Sequence, residues 1–195
     1  MDKIQLMLVE DDPVWMKGLT SYIEAEEDLT VNKKAYSKEE ALNIDYSNID
    51  VALLDISLSE EEELSGLEVV KHLKEKGIDK VIMLTSWDDP TVILKAFDNG
   101  AINFLSKSSY KELPNVIREA YLNKVNIRPD IFNIIMNELK FERKTRVLTP
   151  IESEVYRLNV KGYTRNQIAE KLFKSKETIK KQLQIIKKKL NDSIL

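Results

Sequence analysis

The 195-residue chain contains no cysteine, a single histidine, five glycines and five prolines. Without cysteine the protein can form no disulfide, no zinc–thiolate site and no thiol nucleophile. No apolar stretch approaches the ~20 residues that a helix needs to cross a bilayer, and acidic residues stand where a signal peptide would carry its cleavage site. With an otherwise ordinary globular composition, these absences predict a soluble cytoplasmic protein that has no membrane partner.

The charges are distributed unevenly along the chain. Residues 1–125 contain 14 Lys and Arg against 25 Asp and Glu, a balance of −11, whereas residues 126–195 contain 16 against 8, a balance of +8. This difference indicates an acidic domain followed by a basic domain that is suited to a polyanion. A single globule with unevenly placed charges is the alternative.

Four short apolar runs end close to reactive polar residues. LMLV precedes Glu10 and Asp11, VALL precedes Asp55, VIML precedes Thr85, and INFL ends two positions before Lys107. Each run has the length and composition of a strand that is buried on both faces. Because ligands of an open parallel α/β sheet bind beyond the carboxyl ends of its strands, these residues should meet at one edge. Three carboxylates, a hydroxyl and an amine suit a hard divalent cation and a phosphoryl group.

Strand and helix patterns alternate five times in the first 125 residues. Strands are predicted at 4–9, 29–36, 50–54, 80–85 and 102–105. Helices are predicted at 13–26, after Ser37, and at 65–76, 89–98 and 109–123. Five βα units imply a parallel sheet with right-handed crossovers and helices on both faces.

The second part of the chain is predicted to be helical. Residues 126–147 form a partly helical linker without a Gly/Ser-rich stretch, in which the polar residues 142–146 are expected to form a loop. In residues 148–195, a first helix begins at Thr149 with a capping box, and Thr164 and Ser175 cap a second and a third helix.

These motifs resemble a known family. Residues 1–125 resemble the receiver domain of a two-component response regulator, and residues 148–195 resemble a LuxR-type helix-turn-helix; together they resemble the NarL/FixJ class of transcriptional regulators. The receiver motif is carried by Glu10-Asp11, Asp55, Thr85-Ser86 and Lys107. The resemblance implies an α/β fold, a flavodoxin-like, doubly wound five-stranded parallel sheet of order 2-1-3-4-5, with a second, small all-α domain.

The resemblance also implies a chemistry. Asp55 would accept a phosphoryl group from a sensor histidine kinase or a small phosphodonor. Mg²⁺ would be held by Glu10, Asp11, Asp55 and the backbone carbonyl of Ser57. Lys107 would neutralise charge on the transferring oxygens.

A conformational switch is implied next to this site. Thr85 would hydrogen-bond a phosphoryl oxygen, and movement of Thr85 would open space into which Phe104 turns inward. A plain buried strand phenylalanine is the alternative. The response would be a changed contact in a homodimer or release of the DNA-binding domain.

The third helix of the second domain carries the predicted contacts with double-stranded DNA. Base-edge contacts in the major groove are predicted for Lys180, Lys181 and Gln184. Phosphate contacts, which position the protein without specifying sequence, are predicted for Lys176, Thr178, Lys187 and Lys188. A lysine-rich, solvated helix is the alternative. LuxR-type domains usually have a fourth helix, which is expected to be absent here, so that pairing would come from the receiver or the linker.

Two other functions stay open on the sequence. The chain could be a DNA-binding regulator that ignores phosphorylation and uses a receiver-like interaction domain. It could also be an aspartyl-phosphate phosphohydrolase, but those enzymes have a second Asp two residues after the first, where this chain has Ser57. We therefore expect no enzymatic activity beyond slow self-phosphorylation and self-dephosphorylation. Two departures from the family pattern are the acidic insertion Glu60 to Glu63, which could tune the phosphodonor choice, and Trp87, which could lengthen the phosphate lifetime. A merely solvated loop is the alternative for the insertion.

Overall fold

The structure is a computed structural model that describes residues 3–59, 64–86, 89–124 and 126–192. The acidic insertion Glu60 to Glu63 and Trp87 lie outside the described residues. Within the described ranges, no helix is both long enough and apolar enough to cross a membrane.

A five-stranded parallel sheet lies in the first part of the chain, with the predicted order β2-β1-β3-β4-β5. The strands are β1 Ile4–Val9, β2 Leu29–Ala35, β3 Val51–Leu54, β4 Val81–Thr85 and β5 Asn103–Ser106. Every residue of β3 and β4 is buried, whereas the edge strand β2 alternates buried and more exposed positions. Helices cover both faces of such a sheet, which explains the unbroken apolar runs of its central strands.

Helices follow the strands in the predicted alternation. The helices are α1 Pro13–Glu24, α2 Lys38–Asn43, α3 Ser65–Glu75, α4 Pro90–Asp98, the 3₁₀ helix Lys107–Glu112, α5 Leu113–Tyr121, α6 Pro129–Thr145, α7 Pro150–Val160, α8 Arg165–Lys171 and α9 Lys176–Asp192. Side-chain caps fix several starts: Asp12 accepts a hydrogen bond of 2.7 Å from the Val14 amide, and Ser37 accepts one of 3.1 Å from the Glu40 amide.

Two of the predicted helix boundaries are wrong. The helix predicted over 109–123 is preceded by the 3₁₀ helix and begins as α-helix only at Leu113, because Pro114 lacks an N–H group and fits only the first turn. The loop predicted over residues 142–146 is wrong because α6 continues to Thr145. Glu, Arg and Lys are good helix formers, so a polar stretch can be the exposed continuation of a helix.

The chain divides into two compact units, residues 1–134 and 135–195, so the division falls within α6. In the second unit, α7, α8 and α9 enclose a small core that includes Val155, Ile168, Ile179 and Ile186. Thr149 and Glu152 form both bonds of the predicted capping box at the start of α7.

Glu152 also ties the first helix of this unit to the last. Its carboxylate accepts hydrogen bonds of 2.7 and 2.8 Å from Lys189. The hydrogen bond from Lys189, followed by that from the Thr149 amide, holds the pKa of Glu152 below its ordinary value of 4.5. A depressed pKa in the folded state means that the ionised carboxylate stabilises the unit at neutral pH.

We expect this stabilisation to be fully present above the ordinary pKa of glutamate and to be lost as the pH falls through the lower folded-state pKa. Glu152→Gln keeps a residue that is compatible with a capping box but removes the charge. Hydrogen exchange of the α9 amides should therefore be faster in the variant than in the wild type at neutral pH, and the difference should shrink toward acid. A difference that does not change with pH would contradict the role of the ionised carboxylate.

Candidate functional site

The carboxyl ends of β1 and β3 bring three carboxylates together. Val9 and Leu54 are paired in the sheet, so the residues that follow them, Glu10 and Asp55, are neighbours. Carboxylate oxygens of Glu10, Asp11 and Asp55 lie within 4.8 Å of one another. Glu10 and Asp55 are buried, whereas Asp11 is exposed.

Lys107 reaches the same cluster from the end of β5. Its Nζ lies 2.6 Å from a carboxylate oxygen of Glu10 and 2.6 Å from one of Asp55, and its side chain is only 9% exposed. The ammonium also lies 5.2 Å from the centre of the Trp15 ring. The structure thus joins Glu10, Asp11, Asp55 and Lys107, which are up to 97 positions apart in the sequence.

The Asp55 carboxylate is held by neighbouring donors. One oxygen accepts a hydrogen bond of 2.6 Å from the Ile56 amide and a longer one of 3.4 Å from the Ser57 amide, while the other faces Lys107. Gly66 at the start of α3 packs directly against this loop, because its amide donates to the Ile56 carbonyl at 2.8 Å. A Cβ atom on Gly66 would lie 2.1 Å from the Asp55 carbonyl oxygen. The close approach of this helix therefore depends on glycine.

Burial and the neighbouring charges shift the pKa values of Glu10 and Lys107 in opposite directions. Burial raises the pKa of Glu10, and the hydrogen bond from Lys107 offsets this only in part. Burial alone would lower the pKa of Lys107, but hydrogen bonds to Asp55 and Glu10 outweigh it and raise the pKa above the ordinary value. Lys107 is therefore a cation at neutral pH, fixed against the two carboxylates.

The remaining predicted residues lie at the same edge or behind it. Thr85 ends β4 and is paired in register with Ser106, the residue before Lys107. Phe104 is paired with Met83 and is 3% exposed, so its side chain already lies inside the protein. Ser57 contacts the Asp55 carboxylate through its amide; the predicted use of its carbonyl stays a prediction.

The donor set of this cluster fits Mg²⁺. Magnesium prefers hard oxygen ligands and is usually held by one or two carboxylates together with water. Two carboxylates are anchored by the sheet and a third is exposed, while Lys107 supplies only one positive charge against their three negative charges. Glu10, Asp11 and Asp55 are the residues that would hold the ion.

Two neighbours of the cluster were not predicted from the sequence to have a role in it. Trp15, in the first turn of α1, covers Lys107 and packs edge-on against Tyr110 with the ring centres 6.4 Å apart. Gly66 matches the glycine that receivers carry soon after the acceptor, but its contact with the Asp55 carbonyl could not be predicted, because it joins residues from different elements. No periodicity or spacing in the chain signals either contact.

A second candidate surface lies on α9. All the residues predicted to contact DNA are exposed there: Lys176, Thr178, Lys180, Lys181, Gln184, Lys187 and Lys188. The opposite side of the helix buries Ile179, Ile186 and Leu190. Ser175 caps the helix by accepting a hydrogen bond of 3.0 Å from the Thr178 amide. The arrangement is that of a helix-turn-helix whose last helix presents a basic face.

Comparisons with known proteins match the two parts of the chain that carry these surfaces to known families. Residues 6–118 match the response regulator receiver domain family, and residues 146–193 match the family of bacterial regulatory proteins, luxR family. The uncharacterized transcriptional regulatory protein YvfU of Bacillus subtilis is 33% identical over 96% of this chain and 91% of YvfU. The nitrate/nitrite response regulator protein homolog of Haemophilus influenzae is 28% identical over 97% of this chain and 91% of that protein.

A solved structure shows the same likeness. The crystal structure of the response regulator ChrA, from a heme-sensing two component system, has a TM-score of 0.58 and 28% identity, covering 94% of this chain and 88% of ChrA. The first family match covers more than half of the chain and includes the acidic cluster. The second includes all of α9. The chain therefore belongs to the response regulators of two-component systems, with a receiver domain followed by a luxR-family DNA-binding domain that regulates transcription.

Proposed function

We propose that Asp55 is the phosphoacceptor of this response regulator and that its phosphorylation controls DNA binding. The observation that carries the proposal is the convergence of three carboxylates and a buried lysine at the carboxyl edge of the sheet. Glu10 and Asp55 both contact Lys107, and Asp55 also accepts hydrogen bonds from two backbone amides. Because these contacts already fix the Asp55 carboxylate, little conformational entropy is lost in orienting it when the phosphodonor binds.

The phosphoryl transfer is a single substitution at phosphorus. A carboxylate oxygen of Asp55 forms the new O–P bond, while the P–N bond of a kinase phosphohistidine, or the P–O bond of a small acyl phosphate, breaks. The electron pair of the broken bond stays on the leaving nitrogen or oxygen. Bound Mg²⁺ would supply charge neutralisation for the phosphoryl oxygens.

Lys107 and Thr85 assist this step through position and charge. The ammonium of Lys107 is fixed next to the Asp55 carboxylate, where it offsets negative charge on the transferring oxygens. Thr85, at the end of the neighbouring strand β4, would donate its hydroxyl hydrogen to a phosphoryl oxygen. The backbone carbonyl of Ser57 would complete the protein ligands of the ion.

Phosphorylation would then bias the receiver between two conformations. Changing the ratio of the two conformations from 1:99 to 99:1 requires ~5.5 kcal/mol of differential stabilisation. A few charge-assisted hydrogen bonds of about 1.5–3 kcal/mol each supply that amount. Thr85 and Phe104 are the switch residues in this scheme, and a homodimer is the expected active form. A regulator of this kind acts where the DNA is, and we therefore place the protein in the cytoplasm.

The phosphoacceptor assignment is tested by incubating the full chain with acetyl phosphate and Mg²⁺. The expected product carries one phosphoryl group, located on Asp55 by borohydride reduction of the acyl phosphate followed by peptide mass spectrometry. Labelling should depend on Mg²⁺. A protein that takes up no phosphate, or carries it on another residue, would refute the assignment.

On α9 we assign base contacts to Lys180, Lys181 and Gln184, because they lie on its exposed side and have donors that match base edges in the major groove. The phosphate contacts are assigned to Lys176, Thr178, Lys187 and Lys188.

The two kinds of contact predict different mutant behaviour. Lys181→Ala should alter sequence preference, because it removes a donor to base edges. Lys188→Ala should weaken binding to all sequences alike and lower the slope of log K against log salt by about one unit. Fluorescence anisotropy with a selected and a random duplex measures both effects. Equal losses on the two duplexes for both variants would refute the division of roles.

A further inference from the structure

The C-terminal half of α6 is bound firmly to the DNA-binding unit. Arg157 of α7 donates two hydrogen bonds to the carboxylate of Glu138, one of them 2.6 Å long. The Phe141 ring stacks on Tyr156 with centres 5.8 Å apart and planes inclined by 20°. The guanidinium of Arg157 also lies 4.1 Å from the centre of the Phe141 ring. The last turns of α6 are therefore a fixed part of this unit.

Lys144, one turn beyond Phe141, faces a groove of about 500 Å³ that three other helices also line. Its ammonium lies over the Tyr156 ring, 5.4 Å from the centre, a contact that restrains a long flexible side chain. The groove is lined by three further cations, Arg165 of α8 and Lys180 and Lys187 of α9. It is continuous with the basic face of α9.

The groove has an unbalanced charge. No Asp or Glu is among the described residues that line it, and in the described part of the chain none of its four cations forms a salt bridge. Two acids of the same unit are engaged elsewhere: Glu138 pairs with Arg157 and Glu152 with Lys189. Four like charges around one groove repel one another unless an anion lies between them.

We propose that Lys144 is a DNA backbone contact and that this groove receives phosphates of double-stranded DNA beside the major groove that α9 enters. The proposal rests on DNA binding by α9, and it adds α6 to the interface. A duplex fits the groove because its phosphate strand is a polyanion, and the groove lies beside the basic face of α9 that is proposed to bind the same duplex. Tyr156 serves as the positioning residue that holds the Lys144 ammonium toward the strand.

The test is the salt dependence of binding by the full chain to a random-sequence duplex, with beryllofluoride and Mg²⁺ at fixed concentration. Lys144→Gln should lower the slope of log K against log salt by about one unit, because one phosphate contact is lost. Lys144→Arg should keep the wild-type slope. Arg143→Gln is the matched control: it removes the same charge one position earlier, from an exposed residue that does not line the groove, and should leave the slope unchanged.

The variant Lys187→Gln distinguishes a failure of the groove proposal from a failure of DNA binding by α9. If Lys187→Gln lowers the slope and Lys144→Gln does not, the groove proposal is overturned while DNA binding by α9 stands. If Lys144→Gln and Arg143→Gln lower it equally, the effect is one of net charge and the proposal is likewise overturned. If the wild type shows no salt-dependent binding at all, the DNA-binding function itself fails, and this inference fails with it.

Discussion

Asp55→Asn should leave the protein unable to incorporate phosphate from acetyl phosphate, because the amide that replaces the carboxylate is no nucleophile toward phosphorus. The fold should survive the change. Removing one partner of a buried ion pair often costs 3–5 kcal/mol, but Lys107 would keep its contact with Glu10 at 2.6 Å. The loss of the neighbouring negative charge also relieves repulsion that raises the pKa of Glu10. We therefore expect Asp55→Asn to lower the free energy of unfolding by less than about 3 kcal/mol.

The control for this experiment is Asp98→Asn, which removes the same charge from an exposed residue at the end of α4. It should incorporate phosphate at the wild-type rate. Phosphate uptake is measured by intact mass at increasing times, and stability by chemical denaturation. An Asp55→Asn protein that takes up phosphate as the wild type does would show that another residue is the acceptor.

Gly66→Ala should be among the most damaging single-methyl changes in the receiver unit. The added Cβ would lie 2.1 Å from the Asp55 carbonyl oxygen and 2.9 Å from the Cα of Ile56. Both neighbours are backbone atoms, so a side-chain rotation cannot relieve the overlap. We expect the free energy of unfolding to fall by about 3 kcal/mol. Displacing the loop also moves the Asp55 carboxylate, and a misplacement of 1 Å can slow a reaction about 100-fold.

Gly18→Ala supplies the matched control. Gly18 lies inside α1, and a Cβ there would meet no atom within 4 Å. Alanine in a helix interior is favoured over glycine, so this variant should be more stable than the wild type by about 0.5–1 kcal/mol. Tryptophan fluorescence follows unfolding of the first unit, since Trp15 and Trp87 both belong to it. Equal stability of the two variants would contradict the close contact described for Gly66.

The parts of the fold that could be predicted are those that single elements encode. The buried runs VALL and VIML read as strands because no polar residue interrupts them, and Asp12 and Thr149 mark helix starts because their side chains cap backbone amides. The meeting of Glu10 with Asp55 followed from a general property of parallel sheets.

The rest depends on contacts between elements. The continuation of α6 to Thr145 could not be told from a loop, because a polar sequence is compatible with either until Phe141 packs on Tyr156. The approach of Gly66 to Asp55 and the position of Trp15 over Lys107 likewise join residues 11 and 92 positions apart. Local pattern contains no information about such distances.

The central claim, that chemistry at Asp55 governs the α9 surface, is tested most directly by the DNA affinity of one protein preparation with and without beryllofluoride, at constant Mg²⁺. A coupling free energy of 1–3 kcal/mol between two sites corresponds to a change of about 5–150-fold in affinity, and we predict a change in that range for the wild type and none for Asp55→Asn. Identical affinities of the wild type under the two conditions would contradict the account and favour a regulator whose DNA binding is independent of phosphorylation.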